Sequence, residues 1–167
     1  MNFDELNRLV DYNYWARDQL LDAVAALTLE QFTQDMGNSF GSVRDTIAHI
    51  CDAESIWLSR WKGGQPTGFQ KSDRIPDLAA ARKEWAGLER GMREVLRELG
   101  PEGVERSIEY RDMRGAARSD VFWQMVQHVV NHGSYHRGQV TTMLRQLGAA
   151  PPKSMDLILF YRLKREA

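Results

Sequence analysis

The chain has 167 residues, 43% of them hydrophobic and 27% charged, with a net charge of −1, and at that length one domain can bury about 70% of the surface its unfolded chain exposes. The near-neutral balance and a sequence pI of about 6.4 provide no electrostatic footprint for nucleic acid or an anionic membrane. Apolar runs such as LILF are too short to span a bilayer, MNFDELNRLV lacks the basic-then-apolar order of a secretory signal, and a single cysteine, Cys51, allows no disulfide framework, so a cytoplasmic single domain over residues 1–167 is expected.

Hydrophobic spacing is helical through most of the chain. The first helix is predicted from Asn2 to about Leu27, with Asn2 and Glu5 in capping-box positions and Leu6, Leu9, Val10, Leu20, Leu21 and Val24 as its inward stripe. Asn13 and Arg17 fall in the middle of that stripe, and Trp15 points the other way. The second helix is predicted to start at the cap Ser42 and to end near Gly63-Gly64, with Val43, Ile47, Ile50, Trp57 and Trp61 on one face and His49 on its flank. GGQPTGFQKSDRIP reads as a loop whose Pro76 suits the first turn of a third helix. That helix carries Leu78, Trp85, Leu88, Met92, Val95 and Leu99 and stops at Gly100-Pro101.

Residues 101–118 read either as a loop or as a short hairpin around Asp112-Met113. A fourth helix is predicted from a cap near Ser119 to Leu147, stopped by Gly148 and Pro151-Pro152. Residues 155–164 read as a short terminal helix. Four long amphipathic helices bury their stripes against one another, so the expected fold is all-α, a four-helix bundle with a short C-terminal helix. The long connections leave room for a topology other than up-and-down.

Three of the chain's four histidines, His128, His132 and His136, stand at successive steps of four in HVVNHGSYHRGQ. At about 100° per residue they share an arc with Val121, Met125, Val129, Met143 and Leu147, and Gln139 falls on it too. A lone histidine on such a face is usually satisfied by a carbonyl or a water. Three crowded imidazoles, each with a donor and an acceptor, are harder to satisfy, and a cation resolves the problem. Two histidines four apart can converge on one ion, but the outer pair is separated by about 12 Å of helix rise and cannot. One pair therefore chelates, 128/132 or 132/136, and the only histidine left to complete the site is His49. No histidine has a glutamate three residues before it, against a di-iron site. A three-nitrogen set suits zinc, nickel, iron or copper rather than magnesium or calcium.

SVRDTIAHI, NHGSYHRGQ and LGAAPPKSMDLILFYR together resemble the DinB/YfiT-like superfamily over nearly the whole chain, including DYNYWARDQLL in the first helix. The resemblance implies a four-helix bundle with a long crossover, commonly a homodimer, holding a divalent metal (zinc or nickel). It assigns the ligands to His49, His132 and His136, and leaves His128 one turn earlier, within reach of the open coordination side, as a residue facing the site or the substrate, against the alternative of a structural role. Members include transferases and isomerases that use low-molecular-weight thiols, and metal-dependent hydrolases. The leading expectation is a metal-dependent enzyme that activates a thiol for S-transfer to a small-molecule electrophile. Alternatives are a hydrolase using metal-bound hydroxide and a non-enzymatic stress protein. Asn13 and Arg17 are then candidates to hold an anionic substrate group, against the alternative that they reach out of the bundle end. Asp45 and Asp52 are read mainly as charges on a solvated face, Cys51 as core filler, the tryptophans as packing, and Arg137 as a surface or dimer contact. Gly133 and Gly138 are read as points of close helix or subunit approach.

Overall fold

The computed structural model describes residues 1–66 and 68–166. Its long helices are α1 (Phe3–Val24), α3 (Val43–Trp61), α4 (Leu78–Gly103) and α5 (Phe122–Gln146), with a short α2 (Leu29–Thr33) and a terminal α6 (Leu157–Glu166). Two strands, β1 (Ser107–Arg111) and β2 (Ala117–Val121), form one antiparallel hairpin. Among the described residues, no helix is long and apolar enough to cross a membrane.

The caps follow from local chemistry. Asn2 and Glu5 close a capping box on α1, and the Ser42 hydroxyl accepts from the Asp45 N–H at the start of α3. α4 is capped by Asp77, one residue beyond Pro76, so the proline precedes the cap instead of occupying the first turn. Its predicted stop is visible as a break: Gly100 adopts φ +58°, and Pro101 opens a last short turn. The cap expected at Ser119 is absent because Ser119 is in β2, paired with Glu109. Backbone carbonyls replace it, Arg106 O accepting from Phe122 N at 2.9 Å and Val104 O from Trp123 N at 3.2 Å. The ambiguous stretch is therefore a hairpin, turned where Asp112 Oδ1 accepts from the Arg114 and Ala116 N–H groups.

α1 packs on α4 and α5, and α3 packs on the same two helices, which places α1 and α3 across the diagonal. The connection between them therefore crosses one end of the bundle, carrying α2 with it. Each apolar stripe delivers its side chains to one core: Leu6, Leu20 and Leu21 from α1, Ile47 and Ile50 from α3, Trp85 from α4, and Phe122 and Leu144 from α5 are all essentially inaccessible. Cys51 is buried among them, and burial pushes its thiol pKa up. The outer face of α1 is covered as well. Tyr12, Trp15 and Phe160 pack ring to ring, and the Tyr12 hydroxyl donates to Met155 O at 3.0 Å, docking α6 against α1.

Candidate metal centre

Two turns beyond its cap, α3 presents His49 toward α5, where His132 and His136 stand one turn apart. The three rings meet: Nε2 of His132 lies 3.1 Å from Nε2 of His49 and 3.1 Å from Nε2 of His136. The ligand atoms of all three lie within 4.8 Å of one another, and the group is one that can hold a metal ion. The neighbouring pair on α5 is thus 132/136. His128 is exposed, one turn away, with its ring centre 6.2 Å from that of His132 and edge-on to Trp57 at 5.3 Å.

The donor set fits a metal on its own chemistry. Around an ion with bonds of about 2.1 Å, nitrogens of a tetrahedral or octahedral shell stand about 3.0–3.4 Å apart, which brackets the two separations seen. The Nδ1–H of His136 donates to Gln139 Oε1 at 2.7 Å, which leaves Nε2 a lone pair aimed at the other rings. Burial, reinforced by the neighbouring imidazoles, holds the pKa of His49 and of His132 down at about 4. Burial also lowers His136, against the pull of its bond to Gln139, and His128. Neutral rings at neutral pH are the form that binds metals.

The surroundings are aromatic. Phe40, carried by the loop before α3, stacks on His49 at 4.1 Å and meets His136 edge-on at 5.4 Å. Phe69 and Tyr135 approach His49 and His136 from the outside and are 57% and 65% exposed. Phe40 and Phe69 were not legible as site residues from spacing, because loop aromatics carry no helical phase, and Tyr135 was not because its phase on α5 lies off the histidine arc. Gln139 was, since it stands three residues after His136 on the same arc. Trp57 does more than pack, for it forms the wall beside His128.

Asn13 and Arg17 are elsewhere, and both are engaged. Asn13 donates to Glu54 Oε1 at 2.9 Å and accepts from Arg137 Nη1 at 2.8 Å. Arg17 pairs with Glu89 at 2.8 Å and Asp18 at 2.9 Å. The structure thus places these two expected substrate residues in the interior contacts of α1 rather than beside the histidines. Arg137 corrects the surface reading outright: it is 1% exposed and also donates to Ser134 Oγ at 2.9 Å. Gly133 explains itself here, since a Cβ at that position would stand 2.8 Å from Arg137 Nη1 and 3.2 Å from Asn13 Oδ1. A Cβ on Gly138 would meet nothing within 4 Å, so contacts within the chain do not account for that glycine. Asp52 is not solvated either; it is buried and paired with Arg74 at 2.8 Å, which also binds Glu84 and ties the loop after α3 to α4. Asp45 faces Arg44 and the Ser42 cap.

A family model described as DinB family matches residues 1–166. Among curated proteins, Protein DinB of Bacillus subtilis (strain 168) is 26% identical over 159 residues, covering 92% of each chain. Among solved structures, a DinB-like protein from Bacillus cereus ATCC 10987 matches with a TM-score of 0.64 and 18% identity, over 87% of this chain and 95% of that one. At that identity the match speaks for the fold alone.

Proposed function

The chain belongs to the DinB family, and from that premise we propose a metal-dependent enzyme: His49, His132 and His136 hold one divalent ion, zinc or nickel, beside which a low-molecular-weight thiol is transferred through sulfur to an electrophile. The observation that carries the reading is the meeting of three imidazole nitrogens between α3 and α5, two contacts at 3.1 Å, with His49 and His132 half-buried and His136 buried. Bound to three uncharged ligands, such an ion keeps its double charge and lowers the pKa of a thiol or water in its open position.

The chain's own residues supply the rest. Gln139 fixes the ring of His136, and Phe40 fixes that of His49 by stacking on it. Phe69 and Tyr135 give the opening an apolar rim suited to an apolar acceptor. His128, its pKa lowered by partial desolvation, stands one turn from the ligands as an acceptor for the thiol proton. The sulfur electron pair then forms the new C–S bond as the bond to the leaving group breaks, and the leaving group departs with the electron pair of that broken bond.

The test begins with metal analysis of the purified protein. About one equivalent is expected, falling to background in His132→Ala and His136→Ala; unchanged metal in both variants would end the proposal. Turnover of 1-chloro-2,4-dinitrobenzene is then measured with bacillithiol, mycothiol or glutathione. Product formation should require both thiol and metal. Ester cleavage without thiol points to a hydrolase, and retained metal without turnover in either assay points to a binding protein.

A further inference from the structure

Arg60, in the last turn of α3, is 5% exposed, yet its Nε has no hydrogen-bond partner among the described residues. The other deeply buried arginines are satisfied differently. Arg137 is bound by Asn13 and Ser134, and Arg17 by Asp18 and Glu89. Arg60 is held by rings instead: its guanidinium carbon lies 4.9 Å from the ring centre of Trp57 and 4.8 Å from that of Tyr110. The two rings meet each other edge to face at 5.3 Å. Aromatic contacts position the plane of a guanidinium without using up its N–H donors.

Arg60 lines a cleft of about 460 Å³ between the ends of α3 and α4 and the strand β1. Arg106 and Ser107 stand on the same wall, and among the described residues Glu109 is the only carboxylate residue that lines it. Burial makes the charge of Arg60 costly to carry, which lowers its pKa from the ordinary arginine value. A buried charged group is expected to be paired, and this one lines a cleft of ligand size with no hydrogen bond or ion pair of its own among the described residues.

We propose that Arg60, supported by Arg106 and Ser107, is a binding site for the oxyanion group, carboxylate or phosphate, of a small ligand. The guanidinium fork meets two oxygens of such a group in its own plane, the geometry in which arginine binds anions best. Eleven residues of α3, about 16 Å of rise, separate Arg60 from His49, so the site does not depend on the metal reading. Trp57 touches both neighbourhoods, with Arg60 against its face and His128 at its edge.

The test is an NMR titration of the full-length protein with sodium acetate and, separately, sodium phosphate, at constant ionic strength and pH 8. The Arg60 Nε–H and the Trp57 indole N–H are expected to shift saturably with at least one of the anions. Saturation by acetate alone identifies a carboxylate, and by phosphate alone a phosphoryl group. Arg60→Gln should weaken the Trp57 response at least tenfold, whereas His132→Ala should leave it unchanged. Should Arg60→Gln fail to fold, the exposed Arg106→Gln is expected to weaken binding severalfold. Shifts that rise without saturation, that persist in both arginine variants, or that vanish in His132→Ala overturn the proposal.

Discussion

His136 and Arg137 are adjacent in the chain and about 100° apart around α5, and they open onto two polar regions of opposite character. On one side, the Nε2 atoms of three imidazoles converge on one another, His132 standing 3.1 Å from both His49 and His136. On the other, Arg137, Asn13 and Glu54 form a chain of hydrogen bonds in which each polar group has a partner, joining α1, α3 and α5 where all three residues are nearly inaccessible. The Tyr14 hydroxyl closes the second region by donating to Glu54 Oε2 at 3.2 Å. Polar groups placed inside a bundle thus have two outcomes. Saturated by protein partners they hold helices together; converging on one another between two helices, they are ready for a ligand.

The largest effect should come from the saturated side. Arg137→Ala removes one end of the network, leaving Asn13 Oδ1 without its donor and the buried Glu54 without the favourable field of the guanidinium, at a cost of about 3–5 kcal/mol. Chemical denaturation would measure it, and the folded fraction should still carry metal. A loss below 1 kcal/mol would show that the two regions are not as different as their geometry says.

Next is Gln139→Ala, which leaves all three ligands in place but frees the ring of His136. Metal affinity should fall about 10- to 100-fold, as it does when orienting partners of ligating histidines are removed. Competition with a chromophoric chelator reads this directly, and thermal stability of the metal-free protein should hardly move.

The smallest effect is a pH dependence that separates the regions by sign. The folded pKa values of His49 and His132 are depressed to about 4, while an unfolded histidine titrates near 6.5. As pH falls below about 6.5 the unfolded chain binds protons that the folded one does not, so the metal-free protein should lose stability between pH 6.5 and 5, before most carboxylates titrate. Because the rings are partly solvated the loss is modest, and His49→Asn with His132→Asn should flatten it. Glu54 contributes oppositely, since burial raises its pKa and the folded state takes up its proton more readily. Melting temperatures across that window, for both proteins, decide the point.

Much of the bundle was readable because helical periodicity and capping are local. The stripe of α1, the cap at Ser42 and the break at Gly100 all depend on residues within a few positions of one another. Misreadings came where contacts at long range replaced local ones. The start of α5 is capped by carbonyls of Val104 and Arg106, and Asp52 is buried by an arginine 22 residues away. Arg137 read as a surface residue because its phase places it off the ligand arc, but that phase is the one facing α1 and Asn13.

The sequence by itself determined that helices form, where they stop, and that the histidines of α5 crowd one arc, because each of these rests on periodicity and on chemistry between near neighbours. Only the tertiary structure decided that His49 meets His132 and His136, that Asn13 and Arg137 satisfy each other, and that Phe40 covers the ligand rings. Those outcomes depend on which helix faces which across the bundle, and that pairing is set by burying all the apolar stripes at once.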